Sequence, residues 1–186
     1  MSTISYLKNL IKDPDVASVT PSSRFLVQRM CKHIDFDQPA IIVEYGPGTG
    51  VFSAHILDRM HDDARLILIE SNAAFVDELQ QTLGRDARVT IHHDVAQHVQ
   101  AILEAAGPSR ADYVLSGIPF SFLNDKETNE LLEQTYNILT EDGAFLVYQH
   151  YNHLEQPLRE CFDRVDMERE LLNIPPVCTY KATKHA

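Results

Sequence analysis

The stretch Glu44-Tyr45-Gly46-Pro47-Gly48-Thr49-Gly50 follows a continuous apolar run, Ala40-Ile41-Ile42-Val43. A short β-branched run bounded by turn residues predicts a strand that is buried on both faces. Glycines at alternate positions allow a tight turn and let a ligand approach the backbone without Cβ clashes. The stretch therefore predicts a cofactor-binding loop at the carboxyl end of a parallel strand.

The spacing and the charge of this loop argue against two common nucleotide sites. A dinucleotide fingerprint needs a small third residue, but Gly48-Thr49-Gly50-Val51-Phe52-Ser53 fits that pattern poorly, and no Gly-Lys-Ser/Thr follows as in a P-loop. The carboxylate of Glu44 would repel a pyrophosphate, whereas it suits a cofactor that carries a sulfonium and an α-ammonium group.

Strand-like and helix-like segments alternate after this loop, which predicts βαβ units and a parallel sheet. Two further strand-like runs near the end, residues 169–174 and 177–183, have no helix between them, so we expect them to pair antiparallel at one edge. The predicted strands cover residues 65–70, 88–92, 111–116 and 144–149, and the predicted helices cover residues 51–60, 72–83, 95–106 and 125–139.

The first 38 residues predict a helical extension. Apolar residues recur at helical spacing over residues 4–12, and Thr20-Pro21-Ser22-Ser23 predicts the start of a second helix that ends near Lys32. We therefore expect a single domain over residues 1–186, with the extension at 1–38 and a Rossmann-like core at 39–186.

Composition narrows the class of protein. The net charge of −11 argues against a broad nucleic-acid-binding surface, although residues 1–34 are basic on balance. The three cysteines show no CxxC spacing and no apolar run is long enough to span a membrane, so we expect a cytoplasmic protein. The histidine pairs His92-His93 and His150/His153 either contribute to a metal site or are exposed; we expect no bound metal.

Two carboxylates follow the next two predicted strands. Glu70 ends the second strand, where an acidic group can accept hydrogen bonds from both ribose hydroxyls of an adenosine cofactor. Asp94 follows the third strand, where its carboxylate can accept from an adenine amino group, cap the helix that starts near Val95, or do both.

These features together resemble class I S-adenosylmethionine methyltransferases: Glu-x-Gly-x-Gly-x-Gly after strand one, acids after strands two and three, and a proline loop after strand four. The resemblance implies a Rossmann-like α/β fold with a seven-stranded, mostly parallel sheet, one antiparallel edge strand and helices on both faces. It also implies S-adenosylmethionine as cofactor. The implied cofactor-binding residues are Glu44, Tyr45, Gly46, Pro47, Gly48, Thr49, Gly50, Glu70, Ser71, Asp94, Val95, Ser116 and Gly117.

The segment Ser116-Gly117-Ile118-Pro119-Phe120 bears on the methyl acceptor. Ribosomal RNA adenine dimethylases carry an Asn-Leu-Pro-Tyr-like motif there, and this chain has Gly117 at the Asn position. Ser-Gly-Ile-Pro instead resembles a segment of bacterial phosphatidylethanolamine N-methyltransferases, as do residues 19–24 and 172–177. This resemblance implies N-methylation of phosphatidylethanolamine or a related amine, with peripheral contact at the inner membrane face through residues 3–12. The alternatives are an RNA adenine N6-methyltransferase and a non-catalytic cofactor-binding protein.

Amine methylation mainly requires positioning and the removal of one proton. Aromatic faces bind a methylated ammonium product well, so Tyr148, Tyr151 and Phe120 are predicted to form a cage, with core or rim packing as the alternative. His150 or His153 could relay the proton, because histidine titrates near neutral pH.

Overall fold

Strands and helices alternate along residues 22–185, the part of the chain that the computed structural model describes. Two of the helices are preceded by short 3-10 turns, Ala96–His98 and Asn152–Leu154. The strands are β1 Ile41–Tyr45, β2 Arg65–Glu70, β3 Val89–His93, β4 Ala111–Ser116, β5 Leu139–Gln149, β6 Arg164–Glu170 and β7 Val177–Thr183. The helices are α1 Arg24–Cys31, α2 Val51–Leu57, α3 Ala73–Thr82, α4 Val99–Ala106, α5 Asp125–Ile138 and α6 Glu155–Cys161.

The seven strands form one sheet in the order β3-β2-β1-β4-β5-β7-β6. Strands β1 to β5 run parallel to one another, and β7 runs antiparallel to both of its neighbours, β5 and β6. The predicted Rossmann-like sheet with one antiparallel strand is confirmed. The antiparallel strand lies one position inside the edge, which β6 occupies.

Helices cover both faces of the sheet, as the uninterrupted apolar strands require. In β1, Val43 and Tyr45 pack with α4, α5 and α6, whereas Ile42 packs with α1, α2 and α3. No helix within residues 22–185 combines the length and the apolar character that a membrane span needs.

Helix α1 is anchored at both ends. Ser23 caps its first turn, since Leu26 N donates to Ser23 Oγ at 3.2 Å, and this confirms the predicted helix start. Near its C-terminus, Arg29 Nε donates to the buried carboxylate of Glu170 on β6 at 2.6 Å, and this hydrogen bond lowers the pKa of Glu170. The helix predicted over residues 4–12 lies outside the described residues.

The predicted antiparallel pair of strands at one edge is confirmed, with β7 at the predicted residues 177–183, but the bounds predicted for its partner, residues 169–174, are wrong. Leu171, Leu172 and Ile174 form an exposed turn, and β6 lies earlier, at Arg164–Glu170. The strand was hard to recognise because an edge strand rich in charged residues shows little apolar alternation; such charges discourage pairing with other chains. Helix α6 was not predicted. Its Pro157 lies in the first turn, where a helix needs no backbone donor.

Candidate active site

The loops after β1, β2 and β4 meet at one edge of the sheet. Chain order reverses between β1 and β4, which is the position where open α/β sheets bind ligands. Gly46 N donates to Ile69 O at 2.9 Å, and Gly117 N donates to Tyr45 O at 2.9 Å. These backbone bonds join the ends of three adjacent strands and define what we term the cofactor edge.

The glycine loop has the backbone geometry that its sequence predicts. Gly46, Gly48 and Gly50 have φ values of 62°, 56° and 77°, in the left-handed region that favours glycine. A Cβ on Gly48 would meet no atom of residues 22–185 within 4 Å, so the loop backbone there borders space that the described residues leave open. Pro47 is buried and Thr49 is exposed. The loop can therefore present its backbone directly to a bound group.

Glu70 links three segments of the cofactor edge. One carboxylate oxygen accepts from Gly48 N at 3.0 Å, and the other accepts from Asn72 N at 2.8 Å. The carbonyl of Glu70 accepts from Asp94 N at 3.1 Å. The buried carboxylate is therefore oriented, and each of its oxygens has a second lone pair with which to accept a hydroxyl hydrogen. Ser71, which follows it, directs its carbonyl to the His93 ring.

Glu44 is a buried carboxylate, 2% exposed, beneath the glycine loop. Burial raises its pKa to about 7, and the nearby Glu70 acts in the same direction, although Ser53 Oγ donates to Glu44 at 2.6 Å. Among residues 22–185, no basic side chain forms an ion pair with Glu44. A cationic ligand group near this carboxylate would therefore stabilise its charged form.

Asp94 follows β3 at the same edge. Its Oδ1 accepts from Val95 N at 2.8 Å and from His98 Nδ1 at 2.7 Å. Burial acts to raise the pKa of Asp94, but these two hydrogen bonds outweigh it and hold the pKa below its ordinary value. Asp94 is thus an ionised acceptor at neutral pH, and its contact with an adenine amino group stays a prediction.

The loop after β4 explains why glycine occupies position 117. A Cβ there would lie 2.9 Å from Gly46 O and 3.3 Å from the Tyr148 hydroxyl. A larger residue such as asparagine therefore does not fit against the glycine loop in this arrangement. The preceding Ser116 is buried, and its Oγ accepts from Ile118 N at 3.3 Å.

The three aromatic residues predicted to form a cage do not converge. Tyr148 stacks on Phe52, with ring centroids 5.5 Å apart, on the face of the sheet that carries α1 and α2. Phe120 is 1% exposed and packs edge-on against Phe145 on the opposite face. Tyr151 is 71% exposed beyond the end of β5. The structure therefore brings only Tyr148 next to Gly117 and the glycine loop.

His150 and His153 are exposed after β5, open to solvent. They lie far from His92 and His93, because four strand spacings separate β3 from β5, about 19 Å in all. Within residues 22–185, no three His, Cys, Asp or Glu side chains are grouped in a way that could hold a metal ion.

Gln149 is a structural residue of the site that the sequence reading missed. Its Oε1 accepts from Phe120 N at 3.0 Å, and its Nε2 donates to Ile118 O at 2.8 Å. The buried amide thereby fixes the loop after β4. The available signal was a polar residue at the end of an apolar strand, since a buried amide needs backbone partners.

The fold, the glycine loop and the oriented Glu70 define a class I S-adenosylmethionine-dependent methyltransferase. Residues 42–143 match the family model described as a methyltransferase domain, and the chain belongs to this family. Its cofactor is S-adenosylmethionine. The residues present fit this molecule, since Glu70 offers acceptors for hydroxyls and Gly48 borders open space. Glu44 is a buried carboxyl group that forms no ion pair with a basic side chain of residues 22–185.

Known proteins similar to this chain include lipid-modifying and small-molecule enzymes. An ornithine lipid N-methyltransferase of Singulisphaera acidiphila is 28% identical over 172 residues, which cover 89% of this chain and 86% of that protein. A crystal structure of 1,6-didemethyltoxoflavin-N1-methyltransferase from Burkholderia thailandensis, with bound S-adenosylhomocysteine, has a TM-score of 0.69 at 18% identity and covers 97% of this chain and 87% of its own. Human methyltransferase-like protein 13, in complex with S-adenosylhomocysteine, has a TM-score of 0.63 at 16% identity, with coverages of 86% and 78%. The two structural likenesses show the fold.

We expect the buried Glu44 to make cofactor binding depend on pH. S-adenosylmethionine is cationic at its sulfonium, so its binding favours ionised Glu44, and protonation below pH 7 weakens it. We expect the dissociation constant to rise about tenfold between about pH 8 and pH 6. In Glu44→Gln, which keeps an acceptor for Ser53, calorimetry should give weaker binding with a nearly flat pH profile. If the dissociation constant changes equally with pH in both proteins, Glu44 is not the group that causes the pH dependence.

The close contact of Gly117 with Gly46 makes position 117 sensitive to a single methyl group. Gly117→Ala should raise the dissociation constant for S-adenosylhomocysteine at least about tenfold, because the Cβ displaces the glycine loop. Gly143→Ala is the matched control, since its Cβ would lie 3.0 Å from Thr140 O at the opposite edge of the sheet. The control should lower thermal stability and leave binding unchanged. Equal dissociation constants for both variants would contradict the assignment of Gly117.

Proposed function

We propose that this methyltransferase N-methylates the primary amine of a membrane lipid, phosphatidylethanolamine or an amine-bearing lipid such as ornithine lipid. The observation that carries the proposal is the similarity to an ornithine lipid N-methyltransferase along 89% of the chain. The Ser116-Gly117-Ile118-Pro119 segment supports it, because the crowded Gly117 has no room for the asparagine of RNA adenine dimethylases.

The cofactor edge orients the methyl donor. Glu70 and the glycine loop would hold the adenosine part, with Asp94 and Val95 beside the base and Ser71 next to Glu70. Glu44 would balance positive charge on the donor. S-adenosylmethionine, when bound, supplies an electrophilic methyl group on its sulfonium.

The acceptor amine must arrive neutral and aligned with that methyl group, so positioning contributes most of the acceleration. Tyr148 borders the glycine loop through Gly117, and its hydroxyl lies 3.4 Å from Ser22 Oγ. Burial raises the pKa of Tyr148, so its hydroxyl stays protonated at neutral pH and can orient a substrate but does not act as the base.

The amine proton would leave through His150 or His153. Both side chains are exposed just beyond β5, where a proton can pass from the substrate to solvent. Tyr151 would contact the headgroup from the rim of the site. Phe120 is not proposed to contact the headgroup, because its ring is buried in the core. Peripheral contact at the inner membrane face through residues 3–12 stays part of the proposal and lies outside the described residues.

A labelled-methyl assay tests the acceptor. The protein is incubated with methyl-labelled S-adenosylmethionine and one of three acceptor pools: vesicles that contain phosphatidylethanolamine or ornithine lipid, total RNA, or small soluble amines. We expect the label in the lipid fraction. Gly46→Arg, which fills the glycine loop, serves as the inactive control.

Transfer to RNA alone would support an adenine methyltransferase. Transfer only to soluble amines would overturn the lipid proposal. Cofactor binding with no transfer to any pool would indicate a non-catalytic binding protein.

A further inference from the structure

The exposed large hydrophobic side chains of residues 22–185 all lie at the cofactor edge. Val51 directly follows the glycine loop, and Tyr151 lies just beyond the end of β5. Three more occupy the turn between β6 and β7, where they are 61–77% exposed: Leu171, Leu172 and Ile174. We term these five side chains the apolar rim.

Strand direction explains why the β6–β7 turn belongs to this edge. Because β7 is antiparallel to both neighbours, β6 runs in the same direction as β5. Gln149 at the end of β5 and Arg169 near the end of β6 pair with the same residue of β7, Cys178. The turn therefore projects from the level at which β5 ends.

The start of α1 connects this turn to the glycine loop. Ser23 N donates to Asn173 Oδ1 in the turn at 3.1 Å. The neighbouring Ser22 lies 3.4 Å from the Tyr148 hydroxyl and lines a groove together with Val51. Contacts of Ser22 and Ser23, at the start of α1, thus fix the position of the turn relative to the cofactor edge.

Positive charge accompanies the apolar rim. The groove between α1 and α2 that opens at Ser22 and Val51 is lined by Arg24 and Arg59, and no carboxylate of residues 22–185 lines it. His55 also lines the groove, but burial lowers its pKa, so it adds no charge at neutral pH. Apolar side chains next to basic ones are typical of surfaces that lie in a lipid headgroup region. This local charge contrasts with the net charge of −11 for the chain.

We propose that the apolar rim inserts into the interface of a lipid bilayer and brings the cofactor edge to the headgroups. This inference rests on the proposed function, since an acceptor amine that stays attached to its lipid can be reached only if the edge of the site itself meets the membrane. That requirement favours a bilayer over a second copy of the chain as the partner of the rim.

A tryptophan in the turn reports insertion directly, because the natural chain contains no tryptophan. Leu172→Trp should emit at shorter wavelength when vesicles of phosphatidylcholine and phosphatidylethanolamine are added. Asp62→Trp, in an exposed loop at the opposite edge, is the matched control and should not change.

A triple variant measures the contribution to binding. Leu171→Ser with Leu172→Ser and Ile174→Ser should weaken vesicle binding at least about tenfold, because it removes the apolar surface that would enter the membrane. Its affinity for S-adenosylhomocysteine should stay unchanged, which also shows that it folds. The apolar swap Leu171→Ile, Leu172→Ile and Ile174→Leu should bind vesicles like the natural protein.

Two results would overturn the proposal. In the first, the emission wavelength of Leu172→Trp does not change when vesicles are added. In the second, the emission is already at short wavelength without vesicles, which would mean that residues 1–21 or a second copy of the chain cover the turn. Methyl transfer by the natural protein to the same vesicles separates the two proposals. Transfer without an emission shift overturns the membrane surface alone. A shift without transfer to these vesicles, or to vesicles that also contain ornithine lipid, supports the surface and overturns the proposed reaction.

Discussion

The cofactor edge depends on the hydrogen bonds that Glu70 accepts. Its two carboxylate oxygens and its backbone carbonyl join the glycine loop, the start of α3 and the loop after β3. A charged acceptor of backbone N–H groups is stronger than a neutral one, so these hydrogen bonds would hold the loops in one arrangement. Such preorganisation reduces the conformational cost of binding. Glu44 is buried and has no basic partner within residues 22–185, so we expect it to favour positive charge on the ligand.

Most of the fold and the donor side of the site could be predicted from sequence, because both follow from short-range physical constraints. Buried parallel strands such as β2 read as continuous apolar runs, and alternation with helices leaves few topologies. Residues directly after consecutive parallel strands must meet at one edge, so Glu70 and Asp94 could be assigned to it from their positions alone. The loop glycines could also be recognised from sequence, since their positive φ values disfavour most other residue types.

The acceptor side could not be predicted in the same way, because it depends on side-chain direction and long-range pairing. Tyr148 lies at the end of β5 and Phe120 in the loop after β4, but their side chains pack on opposite faces of the sheet and so do not form the predicted cage. An apolar turn at residues 171–174 has the composition of a strand, and only pairing with β7 shows that the strand is the charged Arg164–Glu170. The buried amide of Gln149 acts through backbone partners about thirty positions away.

The most direct test of the central claim is a calorimetric titration of S-adenosylhomocysteine into Glu70→Gln, with Glu78→Gln on the exposed surface of α3 as the control. An amide at position 70 must turn a donor toward either Gly48 N or Asn72 N, which are donors themselves, so the loops lose their common acceptor. We expect a dissociation constant at least about tenfold higher for Glu70→Gln and an unchanged one for Glu78→Gln. Natural affinity in Glu70→Gln would show that the cofactor edge does not depend on this carboxylate.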